Sequence, residues 1–261
     1  HKVLYFKEAF HGRSGYTLSL TNTDPVKTMY FPKFNWIKID NPYMTYPETD
    51  ELMAEVLKNE ELAILQIKKA LKDNADDIAA LIIEPIQGEG GDNHFRCQFF
   101  QMLRDLADDN EFLLIYDEVQ TGIGITGKMW AHENFTPKLC QCDPPIKKAP
   151  IPDIVSFGKK TQVCGILVGD RINEVKDNVF KKSSRINSTF GGNLVDMYRF
   201  KLILEIIEEE SLLENSLTMG KYLLNSINDL SIEFPGYVTN PRGVGLFCAF
   251  DLPSTLERDK F

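Results

Sequence analysis

The chain has 261 residues, of which 43% are hydrophobic, enough for a substantial core in one or two domains. Its formal net charge of −9 disfavours nucleic acids and anionic membranes as partners, although a small acidic substrate remains compatible with a locally positive site. No apolar run reaches the roughly 18 residues that a membrane-spanning helix requires.

The first two thirds of the chain alternate between predicted strands and helices. Residues 2–6 predict a short strand, and residues 50–73 have the apolar spacing of one or two helices. Continuous apolar runs at 78–85 and 111–118 predict buried strands, and the amphipathic stretch 95–110 between them predicts a helix. This order is typical of an α/β fold, in which a mostly parallel sheet is covered by helices on both faces.

Two further apolar runs, 153–158 and 164–169, predict a third and a fourth buried strand. Ligands of such sheets bind beyond the carboxyl ends of the strands. Glu84, Asp117 and Lys159 all follow or end a predicted strand. We therefore expect these three side chains at the functional edge of the sheet.

The last third of the chain predicts a second unit. A helical pattern at 194–230 resembles a long connecting helix, and 242–252 predicts a strand beyond it. We therefore expect a large domain at 1–205, and a connecting helix with part of a small α+β domain at 206–261. Residues 134–152 are rich in Pro, Cys and Lys, lack periodicity and predict a surface loop or insertion.

The five cysteines favour reduced thiols over a disulfide framework, because their number is odd and their spacing is unpaired. We therefore expect a cytoplasmic or mitochondrial-matrix protein and not a secreted one. Cys140 and Cys142 form a C-x-C pair with only His132 nearby in the sequence. Structural zinc requires four ligands, so we expect no metal site.

Asp117 and Lys159 predict chemistry more strongly as a pair than singly. Alone, Asp117 is compatible with a helix cap, and Lys159 and Lys160 with two solvated charges after a strand. A lysine in an apolar pocket attacks aldehydes, and a buried carboxylate holds a proton on a pyridine nitrogen. Pyridoxal phosphate requires both groups.

Five segments resemble those of the class III (ω-amino acid) aminotransferases, and they occur in the family's order along nearly the whole chain. They are FHGRSGYTLSLT (10–21), IIEPIQGEGG (82–91), LLIYDEVQTGIGITGKMW (113–130), PDIVSFGKK (152–160) and NSTFGGN (187–193). The resemblance implies a fold type I transferase that depends on pyridoxal phosphate. It also implies a glycine turn for the cofactor phosphate before residue 1 and a substrate-site arginine after residue 261, so we expect the chain to be part of a longer polypeptide.

The resemblance assigns cofactor-binding roles to five residues. Lys159 matches the catalytic lysine that bonds covalently to the cofactor and moves the substrate proton, with Lys160 structural. Asp117 matches the partner of the pyridine nitrogen, and Phe10 the ring that stacks on the cofactor. Gln120 matches a residue beside the phenolic oxygen and the substrate. His11 matches a residue near the cofactor, where a packing role is an equal alternative.

Three more roles concern the substrate and a second subunit. Thr189 matches the threonine that binds the cofactor phosphate of the neighbouring subunit, which implies a homodimer. Arg13 matches an arginine that clamps a substrate carboxylate. Glu89 matches a glutamate that pairs with the substrate-site arginine while the ω-amine donor is bound and releases it for 2-oxoglutarate.

Within the family, the segments around 10–34, 158–165 and 186–193 are most similar to enzymes that move the terminal amine of L-lysine to 2-oxoglutarate. Enzymes for 4-aminobutyrate or ornithine remain alternatives, as does a non-catalytic subunit that retains the fold. The stretch GIGITG (122–127) also fits a dinucleotide-binding fingerprint. It lacks the acidic residue expected about 20 residues later, so we do not expect a dinucleotide site.

Overall fold

The computed structural model describes residues 1–140 and 142–260. Its centre is a six-stranded sheet with the spatial order β2-β1-β3-β6-β7-β8. The strands are β1 (Lys2–Phe6), β2 (Ile37–Ile39), β3 (Ile78–Ile83), β6 (Leu113–Asp117), β7 (Ile154–Phe157) and β8 (Gly165–Val168). The first five run parallel to one another, and only β8 pairs antiparallel, with β7.

Two long helices pack against this sheet. Helix α1 (Asp50–Asp73) is a single helix, and the hydroxyl of the N-cap residue Thr49 accepts a hydrogen bond from the Leu52 amide at 3.3 Å. Helix α2 (Cys97–Asp109) supplies Phe99 and Phe100 to the core. Between β3 and α2 lies a small ribbon of β4 (Ile86–Gln87) and β5 (Asn93–His94).

The core follows from the continuous apolar runs of the central strands. Leu4, Leu81 and Leu114 are paired across β1, β3 and β6, and all three are fully buried. The ring of Phe99 packs edge-on against Phe6 with 5.8 Å between centroids. Burial of each such side chain contributes about 1.5–3 kcal/mol to the stability of the folded state. This packing holds the ends of the strands at fixed positions.

Strand β8 differs from its prediction. It is an antiparallel edge strand, and Ile166, Leu167 and Val168 are exposed in this chain. An apolar run of four residues predicts a strand but does not distinguish the centre of a sheet from its edge.

The predicted connecting helix is two helices. Helix α3 (Leu194–Glu209) ends before Ser211, which adopts a left-handed conformation with φ of 51°, and α4 (Leu212–Glu233) follows. The predicted strand at 242–252 is a hairpin of β9 (Thr239–Val244) and β10 (Phe247–Asp251), because Gly245 has a φ of 59° and turns the chain between them. Helix α5 (Thr255–Arg258) is a single turn.

Residues 134–152 contain no helix or strand among those the structure describes, in agreement with the predicted loop, apart from the one-turn helix that ends at Asn134. None of the helices described is both long and apolar enough to cross a bilayer.

Candidate active site

Three neighbouring parallel strands bring the predicted site residues to one edge of the sheet. Asp117 is the last residue of β6, Glu84 directly follows β3, and Lys159 comes two residues after β7. The register pairs Ile83 with Tyr116, and Asp117 with Ser156. Since the carboxyl ends of parallel strands lie at the same edge of the sheet, the carboxylates and the lysine lie at the edge where ligands of α/β sheets bind.

The carboxylate of Asp117 is buried and surrounded by donors. One oxygen lies 2.8 Å from Nδ1 of His11, and the other accepts hydrogen bonds from the Ser156 hydroxyl at 3.0 Å and the Val119 amide at 3.2 Å. Burial opposes ionisation, but the hydrogen bond and positive charge of His11 outweigh it and lower the pKa of Asp117. Asp117 is therefore an anion at neutral pH.

The contact with Asp117 holds the ring of His11 in place. Its side chain is fully buried, and burial favours the neutral ring, but the hydrogen bond to Asp117 and the charges of Asp117 and Glu84 raise its pKa. Its amide donates to the Thr21 hydroxyl at 3.0 Å, and its Nε2 has no hydrogen-bond partner among the described residues. An imidazole with one nitrogen fixed by a carboxylate has a defined ring orientation.

Glu84 positions the backbone around Phe10. Its oxygens accept hydrogen bonds from the Phe10 amide at 2.9 Å and the Gly88 amide at 3.2 Å. Burial raises the pKa of Glu84 to about 7. The sequence predicted only that Glu84 lies at a strand end. The two hydrogen bonds show that its carboxylate positions the backbone at Phe10 and Gly88.

The two lysines have different partners. Nζ of Lys159 is exposed in this chain and donates to the side-chain oxygen of Gln120 at 2.9 Å, whereas Nζ of Lys160 donates to the backbone oxygen of Gln120 at 2.6 Å. Burial and the charge of Lys159 lower the pKa of Lys160 to about 8. Lys159 has a left-handed φ of 51°, so the backbone changes direction between the end of β7 and Lys160.

Glu118 is a buried residue that sequence reasoning missed. Its carboxylate accepts hydrogen bonds from the Thr121 hydroxyl at 2.9 Å and the Ala131 amide at 2.7 Å, and it contacts His132 Nδ1 at 2.7 Å. These bonds close the segment 121–132 into a compact turn. The GIGITG stretch lies in this turn and opens no α-helix, so the geometry of a dinucleotide fingerprint is absent there.

Phe10, Lys27 and Glu89 form the rim of the site. Nζ of Lys27 lies 5.3 Å from the centroid of the Phe10 ring and 2.5 Å from a carboxylate oxygen of Glu89. The resemblance implies an arginine as the partner of Glu89, whereas in this structure Glu89 pairs with Lys27. Lys27 was not among the predicted site residues, since nothing in its sequence neighbourhood distinguishes it from a surface lysine.

Arg13 and Thr189 stand apart from the other predicted residues. Both are exposed, and among the described residues neither forms a hydrogen bond with the other predicted site residues. The structure thus brings together Phe10, His11, Asp117, Gln120, Lys159 and Glu89 around one edge of the sheet, and leaves Arg13 and Thr189 at the surface.

Comparisons with known proteins identify the family of the chain. The family model described as "Aminotransferase class-III" matches residues 1–261. An L-lysine-epsilon aminotransferase of Mycobacterium tuberculosis is 52% identical over 259 residues, covering 99% of this chain and 54% of the relative. A 4-aminobutyrate aminotransferase of Dictyostelium discoideum is 35% identical, covering 99% of this chain and 48% of the relative.

A solved structure also matches along nearly the whole chain. It is a lysine aminotransferase from M. tuberculosis in the internal aldimine form, with a TM-score of 0.90, 51% identity and coverage of 99% of this chain and 56% of that one. The chain thus spans about half the length of the relatives it matches. It belongs to the class III aminotransferase family, and its mostly parallel sheet is that of the fold type I transferases.

Proposed function

We propose that the protein containing this chain is a pyridoxal-phosphate-dependent aminotransferase. In this proposal it moves the terminal amine of L-lysine to 2-oxoglutarate and yields 2-aminoadipate 6-semialdehyde and glutamate. The observation that carries the proposal is the juxtaposition of a buried anionic Asp117 with the available amine of Lys159 at neighbouring strand ends. The higher identity to the lysine-specific relatives, 52% against 35%, favours lysine over 4-aminobutyrate as donor.

The residues present fit pyridoxal phosphate in three respects. Lys159 offers an exposed amine whose side-chain partner is Gln120, so an aldehyde can reach it. Asp117 offers a buried carboxylate for a protonated ring nitrogen. Phe10 offers an aromatic ring, and the hydrogen bond from its backbone amide to Glu84 fixes the position of the residue. When bound, the cofactor acts as an electron sink for the carbon that loses its proton.

Each side chain then has a physical task. The carboxylate of Asp117 holds a proton at the pyridine nitrogen, and the contact with His11 keeps that carboxylate ionised and oriented. Nζ of Lys159, once neutral, accepts the proton from the substrate carbon and later returns it. Gln120 holds Nζ of Lys159 through its side-chain oxygen and orients the lysine at the edge of the sheet.

Arg13 and Glu89 are proposed to select the substrate. Arg13 presents an exposed guanidinium suited to the α-carboxylate of lysine. Glu89 is proposed to neutralise a substrate-site arginine while the ω-amine donor is bound. Because Glu89 contacts Lys27 in this structure, such a switch requires Glu89 to exchange one cation for another.

A homodimer is proposed, with Thr189 binding the cofactor phosphate of the neighbouring subunit. The segment around Thr189 is markedly apolar and exposed in this chain, since Phe190 is 77%, Leu194 86% and Tyr198 63% exposed. Contiguous exposed apolar side chains are typical of a surface that a partner covers. We further propose a cytoplasmic location, in line with the bacterial lysine-specific relatives.

Amine-donor profiling of the full-length protein tests this function. With 2-oxoglutarate as acceptor, we expect kcat/KM for L-lysine to exceed that for 4-aminobutyrate and ornithine by at least tenfold, and the kinetics to be ping-pong. A higher kcat/KM for 4-aminobutyrate or ornithine would contradict the proposal that lysine is the amine donor. A protein that binds pyridoxal phosphate but transfers no amine from any donor would favour the non-catalytic subunit.

A further inference from the structure

Three cysteines from distant parts of the chain meet beside the first turn of α2. Cys97 is the first residue of α2, and Cys140 and Cys142 lie in the loop 134–152. The three sulfur atoms lie within 4.8 Å of one another, and those of Cys140 and Cys142 are 2.6 Å apart. None of the three belongs to the candidate active site.

The loop is docked on α2 by contacts that do not involve the cysteines. The side-chain nitrogen of Gln98 donates a hydrogen bond to the Pro144 carbonyl at 3.0 Å. The ring of Phe135 stacks on Phe100 with 4.4 Å between centroids. These contacts bring the C-x-C pair to Cys97, so the cluster follows from the packing of the loop and not from sequence spacing.

The cluster has the size and donor chemistry of a zinc site. Zinc binds thiolates at about 2.3 Å in tetrahedral geometry, which separates the sulfurs by about 3.8 Å. Cys140 and Cys142 reach this separation when they move apart by about 1 Å, a small change for two loop side chains, and Cys97 lies within 4.8 Å of both. His132, the only histidine close in sequence, does not belong to the cluster of ligand atoms that lie within 4.8 Å of one another.

A polar group in the same cavity supports this assignment. His94 is 6% exposed, its Nε2 has no hydrogen-bond partner among the described residues, and it lines a cavity together with Cys97 and Cys140. It lies outside the 4.8 Å cluster of sulfurs. A solvent molecule in the fourth position of a Cys₃ site would provide Nε2 with the missing partner.

We propose that Cys97, Cys140 and Cys142 bind one zinc ion through their sulfur atoms and so fasten the loop 134–152 to the start of α2. Binding releases three thiol protons to solvent and replaces three closely packed S–H groups with three thiolates around a doubly charged cation, which leaves a net charge of −1 at the site. The proposed site has three protein ligands and solvent in the fourth position, and so differs from a structural site with four protein ligands. It lies outside the proposed cofactor site, so it goes beyond the aminotransferase function and does not depend on it. This proposal corrects the expectation of no metal site, which considered only His132 as a neighbour of the C-x-C pair.

Metal analysis of the full-length protein, purified under reducing conditions without chelator and supplied with zinc, tests the proposal. We expect one zinc per subunit by mass spectrometry of the metal. Cobalt substitution should give the intense visible bands of a tetrahedral thiolate site. Cys97→Ser and Cys140→Ser should each weaken zinc binding by roughly 100-fold or more, since even ligand-orienting partners contribute 10–100-fold.

Cys248→Ser is the matched control, because Cys248 lies in β10 with its sulfur 3.2 Å from the Gly245 carbonyl. This variant should keep the wild-type zinc content. Wild-type protein that binds no zinc under these conditions would overturn the proposal. Equal zinc contents in the Cys97→Ser and Cys248→Ser variants would overturn it as well. Neither readout involves catalysis, so both remain informative if the proposed aminotransferase function fails.

Discussion

Two buried carboxyl groups at adjacent strand ends differ in charge because their neighbours differ. Asp117 has an imidazole, a hydroxyl and an amide as donors, and its pKa is lowered. Glu84 has two backbone amides but is more deeply desolvated, and its pKa rises to about 7. At neutral pH one carboxylate is therefore fixed as an anion, while the other is partly protonated and serves to position Phe10.

Glu84 should make stability depend on pH. A group with a raised pKa keeps its proton in the folded state longer than in the unfolded state, so stability falls as pH rises between 4.5 and about 7. Replacement by Gln removes this titration. We expect the wild type to lose about 2–3 kcal/mol relative to Glu84→Gln between pH 5 and pH 8.

Denaturation of the full-length protein across this pH range measures the difference. Glu61→Gln on the exposed side of α1 is the matched control and should keep the wild-type dependence. The relevant quantity is the change with pH, because Gln also loses one backbone hydrogen bond at every pH. Parallel curves for wild type and Glu84→Gln would contradict the assigned titration.

At the scale of elements, the sequence predicted the strands and helices whose signal is a regular pattern of apolar residues. The strands β1, β3, β6 and β7 and the helices α1 and α2 were all predicted, because continuous apolar runs and helical spacing are local signals. The break at Ser211 and the hairpin turn at Gly245 were missed, because each depends on one left-handed residue inside an otherwise regular pattern. The strand ends located Asp117 and Lys159, whereas Lys27, Glu118 and Cys97 acquire partners only through tertiary contacts.

Gly245 illustrates such a contact. It has a φ of 59°, and a Cβ there would lie 2.5 Å from the Ile125 carbonyl oxygen, so the hairpin approaches the turn 121–132 at this point. Gly245→Ala should cost about 2–4 kcal/mol through clash and backbone strain together. Thermal unfolding checks this value.

Gly236→Ala separates the two causes. Gly236 also has a positive φ, 79°, but open space surrounds its Cβ position. Its replacement should cost only about 1 kcal/mol, the strain alone. Equal losses in the two variants would contradict the clash at Gly245, because backbone strain alone would then account for both.

At the scale of the whole molecule, Arg242 connects the C-terminal hairpin to the turn beside Glu89. Its guanidinium donates to the carbonyls of Asp92 at 2.9 Å, Gly91 at 2.6 Å and Asn240 at 2.8 Å, and it pairs with Asp251 at 2.9 Å. These contacts give Arg242 a structural role. We propose that it joins the large domain, expected at 1–205, to the small domain that follows the connecting helix.

Arg242→Lys tests this connection. Lysine keeps the charge but loses the planar fork, and the unmade hydrogen bonds should lower stability by about 2–4 kcal/mol. Arg258→Lys, at an exposed residue paired with Asp259, should change stability by less than about 0.5 kcal/mol. Comparable losses of stability for the two variants in thermal unfolding would contradict the proposal that Arg242 joins the hairpin to the turn.

The central claim is that the amine of Lys159, and not the half-buried amine of Lys160, bonds to pyridoxal phosphate. Borohydride reduction of the full-length protein loaded with the cofactor, followed by peptide mass spectrometry, tests it most directly. We predict a pyridoxyl group on Lys159 that is lost in Lys159→Ala and retained in Lys160→Ala, because Lys160 is bound to the backbone oxygen of Gln120. A pyridoxyl group on Lys160, or on neither lysine, would contradict the account.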